Sequence, residues 1–280
     1  MYFNSDIISS RQNPIVKWAA SLSDKKSREK ERCFIAEGEK LCFEAAKSKL
    51  PVTHIFVSES KKDFITDKLM QAFSEDVYKD TKVFFLSDGA FEKISTEKAP
   101  QGVIIIIKYL DFFRQLDIIY KEDFFLSPSE RALALCSLRD PGNLGAVIRS
   151  AVAFGIEHII LSSDSADIYN PKTIRSAMGG LFKIKVTSVK NFESFVTAAR
   201  ECGRRIFAAE LSTSAVELNS VSFIESDVFV IGNEGHGIPS EISEKCTRSI
   251  YIPISEDTES LNAAVAASIL IWEQSKTFGV

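Results

Sequence analysis

The chain has 280 residues, 45% of them hydrophobic and 26% charged, with a formal net charge of −4 at pH 7. That is enough chain for two domains with real cores and an ordinary globular composition, and the overall charge announces no nucleic-acid partner, so phosphate affinity would need a local basic surface. The five cysteines are odd in number and form no Cys-x-x-Cys pair, which supports neither a disulfide framework nor a zinc site and points to a reducing, cytoplasmic setting without a metal.

The first six residues lack a basic start followed by an apolar stretch, so no secretory signal is expected. Residues 1–32 are polar and helical after Asn13-Pro14. Here Arg11, Lys17, Lys25, Lys26, Arg28, Lys30 and Arg32 outnumber Asp24, Glu29 and Glu31. Such an arm suits phosphate contact, and a solvated amphipathic helix accounts for it equally well. A strand and turn follow at 34–38, a helix at 41–49 and a strand at 52–58. A helix at 64–73 and strands at 82–86 and 102–108 complete an alternating α/β domain, 1–108. Residues 109–130 mix acid, aromatic and proline and read as a linker.

A second alternation occupies 131–280. Strands are expected at 132–138, 158–163, 184–188, 205–211, 227–232 and 249–254. Helices are expected at 143–154, 171–181, 191–202, 239–245 and 260–275. The fold class is α/β: a mostly parallel sheet with helices on both faces, plus a smaller N-terminal α/β domain. The most apolar runs, 103–107 and 263–272, are too short to span a bilayer, so no membrane partner is expected.

Three segments of the second domain can carry chemistry. Asp140-Pro141-Gly142-Asn143 is turn chemistry between a strand and a helix, with Asn143 as the expected cap and Arg149 within two turns of the start. Gly232-Asn233-Glu234-Gly235-His236-Gly237 has neither dinucleotide nor Walker spacing, but its glycines permit close backbone approach by a ligand. An ordinary strand-to-helix turn would have the same composition, and Glu234 could be a solvated loop carboxylate or could orient Arg149. Ser260 is the expected cap of the last helix. Asn262, just inside it, is a poor helix former and so a candidate for contact with a ligand or partner. Lys172 and Arg175 share a face of the helix at 171–181. His54, His158 and His236 form no triad and read as structural or surface residues.

Together these segments resemble the SpoU/TrmH family of RNA ribose 2′-O-methyltransferases, in the knotted SPOUT class. Asp140-Pro141-Gly142-Asn143-Leu144-Gly145 with Arg149 looks like the family's first motif. Val230-Ile231-Gly232-Asn233-Glu234-Gly235 looks like the second, and Ile252-Pro253-Ile254 with Ser260-Leu261-Asn262 like the third. Asn170-Pro171-Lys172 with Arg175-Ser176-Ala177-Met178-Gly179 is similar to a further family segment. Ser10-Arg11-Gln12-Asn13-Pro14, Lys17 and Phe34-Ile35-Ala36-Glu37-Gly38 resemble the substrate-binding domain often fused ahead of it. Ala263-Ala264 departs from the Val-Ser usual after the asparagine.

The resemblance implies S-adenosylmethionine as cofactor, a C-terminal trefoil knot and a homodimer through the C-terminal domain. It implies a cofactor held against Gly232, Ile252 and Leu261, beside Ile231, Asn233 and Pro253. Arg149 would stabilise the developing alkoxide and Glu234 would orient it, while Asn143, Ser260 and Asn262 would fix the ribose and the cofactor. RNA would be held by Arg11, Lys17, Lys25, Arg28, Arg32, Lys172 and Arg175. The two-domain arrangement points to ribosomal RNA, 23S above all. Transfer RNA 2′-O-methylation and a non-catalytic RNA-binding role are the alternative readings.

Overall fold

The computed structural model describes residues 1–233 and 235–278. Two compact units emerge, one from Met1–Leu110 with Asp167–Lys183, the other from Asp111–Ala166 with Ile184–Val280.

In the first unit the chain runs β1 (Tyr2–Ile8), α1 (Pro14–Ser21), α2 (Lys25–Glu31), β2 (Cys33–Glu37), α3 (Glu39–Lys47), β3 (Val52–Ser58), α4 (Lys62–Ala72), α5 (Glu75–Tyr78), β4 (Lys82–Leu86), α6 (Asp88–Ile94) and β5 (Val103–Lys108). The sheet order is β1-β4-β3-β5-β2. β5 is antiparallel to both neighbours, and its Val-Ile-Ile-Ile-Ile run is wholly buried, as an interior strand covered on both faces requires. Val16, Ala19 and Leu22 of the α1 segment and Ala90, Phe91 and Ile94 of α6 close one face over Phe56, Ile104 and Ile106. β1 and α6 were not expected from the sequence. Asn4-Ser5-Asp6 interrupts the apolar pattern of β1, and α6 has only seven residues.

The second unit contains β6 (Phe113–Leu116), β7 (Ala132–Leu135), α7 (Pro141–Ala153) and β8 (His158–Ser162). The helix α8 (Pro171–Ala177) follows in the chain but belongs to the first unit. Then come β9 (Lys185–Val189), α9 (Phe192–Glu201), β10 (Ile206–Ala209), β11 (Val216–Glu217), β12 (Val228–Ile231), α10 (Ser240–Ser243), β13 (Arg248–Tyr251) and α11 (Ala263–Ser275). The sheet order is β11-β13-β10-β12-β7-β8-β9-β6, and every pairing is parallel. The stretch read as a linker therefore supplies an edge strand, Phe113 pairing with Val186. Ala132, Ala134, Val228 and Val230 pack with Phe195, Val196 and Ala199 of α9 on one face. Strand alternation turns Leu133, Leu135, Phe229 and Ile231 to the other face, the side on which α11 packs against α7 and β12.

The segment Asp167–Lys183 corrects one expectation. Tyr169 stacks on Phe34 and Tyr109, with ring centroids 4.8 and 4.0 Å away. Arg28 is 2% exposed and donates to the carbonyls of Leu22 (2.9 Å) and Ser23 (2.7 Å) and to Asp167 Oδ2 (2.7 Å). It is a structural cation, not a phosphate contact. α8 stops at Ala177 rather than running to 181, because Met178 takes a left-handed φ of 50°.

At the amino end of the second sheet, His158 Nε2 meets Thr187 Oγ1 (2.8 Å), and Nδ1 meets Glu130 Oε1 (3.2 Å), which also accepts from Lys185 (2.8 Å). Burial lowers the His158 pKa below 6.5 and outweighs the pull of Glu130. Burial alone would raise the Glu130 carboxyl, but bonds from Lys185, the Ser127 N–H and His158 together hold it at about 2. Both groups bind protons more tightly when unfolded. Stability is therefore expected to fall as pH drops below about 6.5 through His158, and again from about 4.5 toward 2 through Glu130. Thermal melts between about pH 8 and pH 3 check this, and Glu130→Gln should flatten the lower part of the curve while steepening the upper part, because the carboxylate that raises the His158 pKa is gone.

Candidate active site

Because the second sheet is parallel, the carboxyl ends of β7, β10, β12 and β13 open on one edge, where such sheets bind ligands. After β7, Asp140 caps α7 by accepting from the Asn143 N–H (2.8 Å), with Pro141 as the first helical residue. Asn143 is thus not the cap. It lies inside the first turn, and its Oδ1 accepts from Asn262 Nδ2 (3.0 Å). After β13 the chain crosses a loop, and Asn262 caps α11 by accepting from the N–H groups of Ala264 (2.9 Å) and Val265 (3.3 Å). The last helix therefore begins at Ala263, and Ser260 is an exposed loop residue rather than its cap.

The turn after β12 is closed by Asn233 and Gly237, which exchange backbone hydrogen bonds of 3.0 and 2.9 Å. Asn233 Oδ1 accepts from the Gly235 N–H (2.9 Å), and its Nδ2 donates to the Ser137 carbonyl (2.8 Å), tying this turn to the one after β7. A Cβ on Gly232 would sit 2.3 Å from the Gly237 carbonyl carbon. Only glycine lets the turn fold back so closely. Gly232→Ala is expected to destabilise by about 1–3 kcal/mol through forced backbone movement. The same movement should weaken cofactor binding at least tenfold, measured by calorimetric titration beside a thermal melt.

The ends of β10, β12 and β13, with the loop before α11, enclose a cavity of about 580 Å³. Ile231, Gly232, Asn233, Ile252, Ser260 and Leu261 line it, whereas Pro253 is exposed and is not among the lining residues. Sequence reasoning missed Glu210, Leu211, Tyr251 and Glu259. Glu210 and Leu211 belong to no motif, and the one available signal was their place at the carboxyl end of an expected strand. His236, already noted in the glycine turn, also lines the cavity. The volume is that of a small-molecule site. Aliphatic walls, backbone groups at the strand ends and two carboxylates suit an adenosyl amino acid that carries a sulfonium cation.

Arg149 is exposed on α7, and among the described residues no group accepts a hydrogen bond from it or forms an ion pair with it. Six residues beyond Asn143, it lies about 120° further round the helix, so the two do not face the same way. Glu234 lies outside the described residues. Among the basic candidates, Arg11 binds Glu92 (3.0 Å), Lys25 approaches Glu29 (3.9 Å) and Arg175 pairs with Glu97. Arg32 is exposed over the Tyr109 ring (4.6 Å), and Lys17 and Lys172 are exposed. Among the described residues, no cluster of three or more His, Cys, Asp or Glu is arranged to hold a metal ion, and no helix is long and apolar enough to cross a membrane.

Residues 130–272 match the SpoU rRNA methylase family, and residues 13–105 match an MRM3-like substrate binding domain. The chain is 31% identical over 265 residues to the 23S rRNA (guanosine(2553)-2′-O)-methyltransferase RlmP of Bacillus subtilis, covering 95% of this chain and 97% of that protein. It is 25% identical to a 23S rRNA (uridine(2479)-2′-O)-methyltransferase of Streptomyces viridochromogenes, over 95% of this chain and 90% of the relative. Among solved structures it resembles an AdoMet-bound rRNA methyltransferase from Sinorhizobium meliloti, with a TM-score of 0.79, 27% identity and 98% of each chain covered. The chain belongs to the SpoU rRNA methylase family.

Proposed function

We propose that this protein transfers a methyl group from S-adenosylmethionine to a ribose 2′-hydroxyl of ribosomal RNA, 23S above all. The observation that carries the reading is the cavity at the carboxyl edge of the second sheet, joined through the Asn262–Asn143 hydrogen bond to the helix that bears Arg149. The bound cofactor supplies an electrophilic methyl on a positive sulfur, so the protein's work is positioning and charge stabilisation. Ile231, Gly232, Asn233, Ile252 and Leu261 would hold the cofactor, with Pro253 at the cavity's margin. Asn143, Ser260 and Asn262 would orient the ribose. Guanidinium groups are poor general bases and good planar donors, so Arg149 would act as a donor to the alkoxide and its neighbouring phosphate. Glu234 would orient it.

Residues 1–108 form the RNA-binding domain in this reading and 131–280 the catalytic domain, threaded as a trefoil knot. Arg11, Lys17, Lys25, Arg32, Lys172 and Arg175 would meet phosphates, with Arg11, Lys25 and Arg175 exchanging a carboxylate for the RNA. The enzyme would work in the cytoplasm as a homodimer. Support for the dimer comes from α11, which is apolar over most of its circumference and leaves Val265 and Trp272 about half exposed, Trp272 packed on Phe154. A second copy on that surface would bring Arg149 to a boundary shared by two sites.

The test is methyl transfer from labelled S-adenosylmethionine to RNA from cells lacking the protein, with ribosomal and transfer fractions separated. Label recovered as 2′-O-methylribose in the ribosomal fraction is the expected result. Label confined to transfer RNA would move the substrate assignment, and neither label nor cofactor binding would defeat the reading.

A further inference from the structure

The cavity's lining carries two carboxylates, Glu210 and Glu259, and among the described residues no lysine or arginine. The two acids differ in standing. Glu259 is exposed on the loop before α11, where solvent screens it. Glu210 is half-buried at the end of β10, its N–H donating to the Ile250 carbonyl (3.0 Å) and its Oε1 accepting from Ser249 Oγ (2.6 Å). Ser249 and Ile250 both lie on β13, Ser249 beside Ala208 of β10, so the neighbouring strand β13 holds Glu210 in place through backbone and side chain. Among the described residues no cation pairs with Glu210, and its Oε2 accepts no hydrogen bond.

We infer that Glu210 is a charge-reading residue that makes the cavity favour the cationic cofactor over its neutral, demethylated product. The inference rests on the methyltransferase reading above. In that reaction a carbon–sulfur bond breaks and a carbon–oxygen bond forms at the ribose 2′-oxygen. The hydroxyl proton passes to solvent, and the sulfonium becomes a thioether. The α-ammonium and carboxylate cancel in both forms, so the ligand's net charge falls from +1 to 0. A half-buried carboxylate fixed on the cavity wall attracts the first form and is nearly indifferent to the second. Glu210 would therefore strengthen substrate binding and ease product release with a single charge.

Calorimetric titration of the full-length protein with S-adenosylmethionine, S-adenosylhomocysteine and sinefungin, which carries an ammonium where the cofactor has its sulfonium, tests this. Glu210→Gln should weaken S-adenosylmethionine and sinefungin by roughly 3–10-fold and leave S-adenosylhomocysteine within about twofold, which also shows that the variant is folded. Glu259→Gln should change the preference less, and added salt should narrow the preference of the wild type. Equal weakening of all three ligands would overturn the inference in favour of contact with the shared adenosine or amino-acid part, and an unchanged preference would overturn it outright. A wild-type protein that binds none of the three would defeat the methyltransferase reading itself. One that binds all three, with Glu210→Gln keeping the wild-type preference, would defeat only the role of Glu210.

Discussion

Arg149→Ala is expected to slow single-turnover methyl transfer by about 10²–10³-fold, the usual cost of removing one donor to a developing oxyanion. The melting temperature should stay within about 2 °C of wild type, because the side chain is exposed and makes no hydrogen bond or ion pair among the described residues. Cofactor affinity should also hold, since Arg149 is not among the cavity's lining residues. Arg149→Lys should lose most of the rate as well. A lysine keeps the charge but not the rigid fork that can bind alkoxide and phosphate together. Near-normal turnover in either variant would remove Arg149 from the centre of the reaction. A parallel fall in cofactor affinity and melting temperature would make it a structural residue.

Arg149 also shows what the sequence could and could not convey. Its motif marked it and the spacing put it within two turns of the helix start, but helix geometry sets it about a third of a turn away from Asn143. The buried strands were legible because parallel sheets covered on both faces leave continuous apolar runs, as in β5 and β7. The caps were misread where two cap-forming residues stood close together. In Asp140-Pro141-Gly142-Asn143 the proline favours Asp140, since proline suits the first helical position. In Ser260-Leu261-Asn262 the helix-forming run starts directly after Asn262, which makes it the better cap. Glu210 had no motif to mark it, because the fold alone makes a strand end into a cavity wall.

Arg28 was illegible for a different reason: its carboxylate partner lies 139 positions away, so a basic stretch concealed a core residue. Arg28→Ala is expected to destabilise the protein by about 3–5 kcal/mol, the cost of breaking a buried pair by removing one member. Asp167 would keep a charge on a side chain 16% exposed, and the Leu22 and Ser23 carbonyls would each lose a donor. At roughly 2–4 °C per kcal/mol, the melting temperature should fall by about 10 °C. Arg28 and Asp167 both belong to the first unit, so a calorimetric scan that resolves two transitions should show the loss in one of them. Arg28→Met combined with Asp167→Asn should recover part of the loss, because the uncompensated charge is then gone. Below its transition Arg28→Ala should bind RNA within about twofold of wild type, with an unchanged salt slope, since no phosphate contact has been removed. An unchanged melting temperature with weaker, less salt-dependent RNA binding would instead return Arg28 to the RNA surface.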